Sequence, residues 1–155
     1  MKNKAIELVI QESEIGAGTR GSSLGPSALK LASLNLEIDF FKQYPSRIVR
    51  NQNDALFAED TFPYTKYIDS ISVVYSAHCK EVSSVLLNQR FPLVVSADHA
   101  SAAATIAGIV KAFPDKRLGV VWIDAHADLH SPYTTPSGNV HGMPLACALG
   151  LDNLD

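Results

Sequence analysis

Val120-Val121-Trp122-Ile123-Asp124-Ala125-His126-Ala127-Asp128-Leu129-His130 joins an apolar run to a polar one. Residues 118–123 have the composition of a buried parallel strand. The chain then delivers Asp124, His126 and Asp128 at a spacing of two. In an extended segment such residues face one side, so three metal-competent side chains are expected at the carboxyl end of one strand. That end is where open α/β sheets bind ligands. Unpaired buried charge is costly, so an ion or other partner is expected there.

A second strand end carries a similar group. Residues 91–96 form a short apolar run, and Asp98-His99 follows it. Upstream, residues 6–10 read as a first strand and residues 14–25, with four glycines, as a loop. A helix is expected to begin at Pro26, whose fixed φ suits a first helical turn, and residues 47–50 form a short second strand. Apolar residues recur at three and four from Tyr67 to Leu86, which predicts a long amphipathic helix over 64–89. The alanine-rich stretch 101–112 reads as a helix, 113–116 as a turn, 131–142 as a long loop and 143–149 as a further helix. Strands alternating with helices imply a mainly parallel sheet with helices on its faces, a three-layer αβα fold. All 155 residues are expected to form one domain.

Composition narrows the function. Apolar residues make up 46% and charged residues 19%, the balance of an ordinary globular domain. The net charge of -3, without a Lys/Arg cluster, argues against nucleic acid as a partner. No run approaches the roughly 20 apolar residues that span a bilayer. The start, Met1-Lys2-Asn3-Lys4, leads into too short an apolar run for a secretory signal. The cytoplasm is the expected location. Cys79 and Cys147 show no ligand spacing; a disulfide between them stays open, with buried free thiols the favoured reading.

Brought side by side by a right-handed crossover, the two strand ends gather His99, Asp124, His126 and Asp128 into a mixed imidazole–carboxylate set. Such a set suits Mn²⁺, Zn²⁺ or Fe²⁺. Asp98 could orient His99 from behind. Alone, His99 would read as a structural histidine and Asp-x-Asp as a solvated turn; the pairing of two such ends favours a metal site. A third element follows, Thr135-Pro136-Ser137-Gly138-Asn139-Val140-His141-Gly142-Met143-Pro144. Ser137 and Asn139 carry neutral donors suited to a carboxylate, and a histidine such as His141 suits proton movement near neutrality.

Three segments resemble the arginase family, the ureohydrolases. They are Ser96-Ala97-Asp98-His99-Ala100, Asp124-Ala125-His126-Ala127-Asp128 and Ser137-Gly138-Asn139-Val140-His141-Gly142-Met143-Pro144; the glycine-rich opening around Gly25-Pro26 is similar too. The resemblance implies a three-layer αβα fold and a dinuclear Mn²⁺ site. It implies that His99 and Asp128 hold one ion and His126 the other, with Asp124 bridging. It further implies that a metal-bridging hydroxide, oriented by Asp128, attacks a guanidinium carbon while His141 moves protons. Ser137, Asn139 and Thr135 would hold the substrate's α-carboxylate, and the expected reaction converts L-arginine to L-ornithine and urea. A homo-oligomer is expected.

The chain also departs from the family's pattern. Ser96 and Ala97 stand where two glycines are usual, and His130 stands where a substrate-contacting asparagine is usual. The second acidic pair of the family's later half has no counterpart, since Asp152 and Asp155 follow no strand. The chain therefore resembles the amino-terminal half of a member, with a partial metal site. Alternative readings are an agmatinase or formimidoylglutamase, or a truncated, non-catalytic metal-binding fragment. Agmatine has no carboxylate for Ser137 and Asn139 to hold, whereas His130 keeps formimidoylglutamate open.

Overall fold

A computed structural model describes residues 5–151. Met1-Lys2-Asn3-Lys4, Asp152 and Asp155, all weighed above, lie outside the described residues. Three strands form a parallel sheet in the order β2-β1-β3, namely β1 (Ile6–Gln11), β2 (Ser46–Val49) and β3 (Phe91–Ser96). Leu8 pairs in register with Ser46 on one side and Leu93 on the other. Five helices accompany the sheet: α1 (Gly25–Asn35), α2 (Phe40–Gln43), α3 (Ile68–Leu87), α4 (Ser101–Ala112) and α5 (Pro144–Leu149). The αβα class and the parallel sheet agree with the reading of the sequence.

Burial explains the packing. Along α3, Ile71, Val74, His78, Val82 and Val85 recur at three and four and are buried, so one stripe faces inward. Val82 and Val85 pack on Val9 of β1 and Val49 of β2, with Val94 and Ile109 beside them. α4 meets α3 through small residues. A Cβ built on Gly108 would lie 2.8 Å from Val82 Cβ and 2.9 Å from the Cys79 carbonyl oxygen, a separation only glycine permits.

A buried carboxylate also ties the sheet to α3. Glu7 on β1 pairs with Arg47 of β2 and, at 2.9 Å, with Arg90 just before β3. Arg47 continues to Glu81 at 3.1 Å and to Ser84 at 3.0 Å, both on α3. The hydrogen bond to Glu7, reinforced by Glu81, raises the Arg47 pKa above the usual arginine value. Glu7 is 7% exposed, so removing both arginines would strand a buried charge.

Two elements differ from expectation. α3 begins at Ile68 rather than at 64. Asp60 Oδ1 accepts from the N–H groups of Phe62 (3.1 Å) and Tyr67 (3.3 Å), which holds 62–66 as a turn, and Tyr67 takes a left-handed φ of 58°. Residues 118–123 are not a strand: no described backbone pairs with them. A strand requires a hydrogen-bonded neighbour, and apolar composition alone supplies none. Both thiols are free, but neither is buried: Cys79 is partly exposed and Cys147 exposed.

His78 is fully buried between α3 and α4, with Nε2 2.9 Å from Thr105 Oγ1. Burial lowers its pKa from 6.5 to about 4. The folded state therefore holds the neutral ring, and the unfolded chain takes the proton first as pH falls. This contribution is complete above about pH 6.5 and is lost progressively toward pH 4, up to about 3 kcal/mol. Urea titrations across that window should show the decline. In His78→Gln the slope should flatten there, whatever the variant's absolute stability.

Candidate metal centre and substrate loop

The site lies at the carboxyl edge of the parallel sheet, where all three strands end. β3 closes in a tight turn: Ser96 Oγ donates to the Asp98 carbonyl at 2.8 Å, and Ser101 Oγ donates to Ser96 Oγ at 2.6 Å. The Asp98 carboxylate accepts the Gly16 N–H (3.1 Å) and the Ala100 N–H (3.0 Å). Asp98 is thus occupied with backbone rather than with orienting the His99 ring. Burial raises its pKa, and these N–H groups work against that rise.

His99 points into the cleft, its ring 4.9 Å from that of Trp122. Its Nδ1 lies 3.1 Å from Asp124 Oδ2 and 2.7 Å from Asp128 Oδ2. These three side chains offer ligand atoms within 4.8 Å of one another. Asp128 Oδ2 is buried without a hydrogen-bond partner. Its approach to Nδ1 is therefore a convergence of donor atoms on a common space, which a cation would fill. Nitrogen and carboxylate oxygens of this kind suit a borderline-to-hard divalent ion, so the residues present fit the metal that the sequence reading implies.

His126 lies outside that group. Its N–H donates to Asp124 Oδ1 at 2.9 Å, closing a local turn, and its ring is 82% exposed with Nδ1 3.6 Å from the same oxygen. The same N–H lowers the Asp124 pKa, with nearby His99 and His126 adding to it. The turn breaks the alternation that would have put 124, 126 and 128 on one face. Asp128 takes a left-handed φ of 51°, a conformation aspartate tolerates better than most residues. Its carbonyl accepts the Leu145 and Ala146 N–H groups at 3.2 Å each, anchoring the start of α5.

The loop at 135–141 forms the opposite wall. Thr135 Oγ1 accepts the N–H groups of Ser137 (3.4 Å) and Gly138 (3.0 Å), and Ser137 Oγ accepts that of Asn139 (3.2 Å). The hydroxyl protons remain free to donate. His141 is fixed through its N–H, which donates to the Gly16 carbonyl at 3.0 Å. His130 N–H donates to the Gly142 carbonyl at 3.1 Å, with its ring Nδ1 3.2 Å from Thr134 Oγ1. One cleft of about 680 Å³ is lined by His99, Asp124, His126, Asp128, His130, Thr135, Ser137, Asn139 and His141. Every ligand and substrate-loop residue expected from the sequence borders it, whereas Asp98 does not; His99, Asp124 and Asp128 alone among them converge as candidate ligands.

Several contributors were not singled out from sequence. Gly16 joins Asp98 to His141, Trp122 flanks His99, and Glu14 accepts the Gly21 (2.8 Å) and Ser23 (2.9 Å) N–H groups to shape the glycine-rich loop. The available signal was position: a Gly-x-Gly run just after β1 must emerge at the same edge as Asp98, because β1 and β3 are parallel.

The loop at 135–141 is pinned from outside by residues 63–66. Gly138 has φ +74°, and a Cβ there would lie 1.9 Å from the Pro63 carbonyl oxygen, while Lys66 N–H donates to the Gly138 carbonyl at 2.9 Å. Gly138→Ala should cost roughly 1–3 kcal/mol by thermal or urea denaturation. It should also shift the amide resonances of Lys66 and Asn139.

Comparison with known proteins identifies the family. The arginase family model matches residues 7–155. The chain is 36% identical to the arginase of Brevibacillus brevis, over 96% of this chain and 49% of that protein. It is 32% identical to the arginase of Bacillus subtilis (strain 168), again over 96% of this chain and 49% of that protein. Among solved structures, arginase from Bacillus caldovelox superposes with a TM-score of 0.82 at 32% identity, covering 95% of this chain and 49% of that one. Entamoeba histolytica arginase in complex with L-ornithine superposes with a TM-score of 0.81 at 29% identity, covering 97% and 51%. The chain spans about half the length of the curated relatives it matches and corresponds to their amino-terminal half. On this evidence, the chain belongs to the arginase family.

Proposed function

We propose that this chain carries the amino-terminal half of an arginase-type active site, which hydrolyses L-arginine to L-ornithine and urea. The observation that carries the reading is the meeting, in one cleft, of the His99–Asp124–Asp128 group with the Ser137–Asn139 loop. His99, Asp124 and Asp128 would hold divalent cations, with His126 at the rim; manganese is the proposed metal. Cations there would lower the pKa of water toward neutrality and so supply a nucleophile strong enough for a guanidinium carbon. Ser137 Oγ, Asn139 Nδ2 and Thr135 Oγ1 would donate to the α-carboxylate. His141, held by Gly16, would pass a proton to the departing amine. Asp128 would accept a hydrogen bond from the attacking water, and His130 would border the amino-acid end. A cytoplasmic location and a homo-oligomer belong to the same proposal, as does a single domain over residues 1–155. No helix among the described residues is long and apolar enough to cross a membrane.

Two measurements test the reading. Calorimetry with Mn²⁺ should show binding to the chain that weakens about 100-fold or more in Asp128→Asn, since a buried ligand is lost. His126→Ala should have a smaller effect on the first ion bound; absence of any Mn²⁺ binding would reject the site. With Mn²⁺ present, ligand-observed NMR should detect L-arginine binding at least about tenfold tighter than agmatine, a gap that Ser137→Ala narrows. Equal binding of the two would favour another ureohydrolase specificity. Urea release by the chain alone should stay below about 1 s⁻¹.

A further inference from the structure

The backbone of Gly18 lies against the Asn139 side chain. A Cβ built on Gly18 would stand 2.6 Å from Asn139 Nδ2 and 3.6 Å from its Cγ, well inside ordinary contact. Apart from its chain neighbours, that Cβ would meet nothing else within 4 Å among the described residues. Gly18 has no positive φ, so its backbone conformation does not itself call for glycine. It is also exposed, and it fills no part of the core. What glycine contributes at this position is the room it leaves beside one amide.

Both backbones at this contact are held in place. Glu14 anchors the loop that carries Gly18: its carbonyl accepts the Ala17 N–H at 3.0 Å and its carboxylate the Gly21 N–H at 2.8 Å. Gly16, two residues before Gly18, is bonded to Asp98 and to His141. Opposite, the Asn139 N–H donates to Ser137 Oγ at 3.2 Å, and Gly138 is seated against the Pro63 carbonyl. The movable part is the Asn139 side chain, which ends in rotatable bonds. A methyl group at position 18 is therefore relieved by turning that amide, with little disturbance of the fold. Asn139 also lines the cleft that holds His99, Asp124 and Asp128, so turning its amide changes the wall a ligand meets.

We infer that Gly18 is a positioning residue for the carboxylate end of the substrate: it keeps Asn139 Nδ2 available to the cleft and leaves the space beside that nitrogen open. The inference rests on the reading, proposed above, in which Asn139 donates to an α-carboxylate. It adds that the loop after β1 takes part in choosing an amino acid over the corresponding amine. Gly18 does so by contact with Asn139 and makes no hydrogen bond of its own to the substrate. A carboxylate brought to Nδ2 needs the room that a side chain at 18 would fill, and a ligand without a carboxylate does not use it.

Gly18→Ala in the whole chain is the test, read without and with ligand. Without ligand, the Asn139 side-chain NH₂ resonances should shift, while the thermal midpoint and the Mn²⁺ affinity from calorimetry hold. With Mn²⁺ present, ligand-observed NMR should show L-arginine bound about tenfold more weakly and agmatine changed by less than about twofold. In an Asn139→Ala background, Gly18→Ala should have no further effect on L-arginine binding, because the two residues act as one unit. Discrimination that survives Gly18→Ala overturns the inference and leaves the arginase-type reading standing. Additive losses in the double variant overturn it too, as does a fall in Mn²⁺ affinity or thermal midpoint, which would make Gly18 a support of the fold. A wild-type chain that binds L-arginine and agmatine equally, or binds neither, rejects the carboxylate role of Asn139 and the inference with it.

Discussion

The Asp98 carboxylate joins the parts of the site. One half-buried side chain gathers the N–H of Gly16, beyond β1, and the N–H of Ala100, at the start of α4. Burial opposes its charge, and the two backbone donors offset that cost. Gly16 then carries the constraint onward, because its carbonyl holds the backbone of His141. The glycine-rich loop after β1, the end of β3 and the loop at 135–141 are thereby fixed relative to one another.

The parallel sheet makes that junction possible. With β1, β2 and β3 running the same way, their carboxyl ends open at one edge, and the loops that follow share it. Beneath that edge, α3 and α4 seal one sheet face through Val82, Val85 and the close contact at Gly108. Asp128 extends the same logic. Its left-handed backbone is held because its carbonyl accepts two N–H groups from α5, and the side chain is thereby turned toward His99. Backbone strain at a candidate ligand persists where surrounding bonds over-determine it.

Much of this was legible in the residues. Apolar runs marked β1 and β3, the three-and-four spacing from Tyr67 to Leu86 marked α3, and the motifs at 98–99, 124–128 and 137–144 marked the cleft. Local hydrogen bonds that a period cannot register account for part of what was missed. Asp60 turns the chain before α3, and the Asp124–His126 turn swings the His126 ring outward from the group that a strict alternation would have included. Asp98 was expected behind His99, yet it bonds to Gly16, 82 residues away in sequence, a pairing that no local pattern encodes.

Residue types and spacing by themselves determined the αβα class, the alternation of strands and helices, and the residues bordering one cleft, because these follow from short-range periodicity and side-chain chemistry. Tertiary structure alone decided which side chains converge and whether residues 118–123 become a strand. A strand exists only where another backbone completes its hydrogen bonds, and convergence depends on turns and long-range contacts that bring distant carboxylates and imidazoles within a few ångströms.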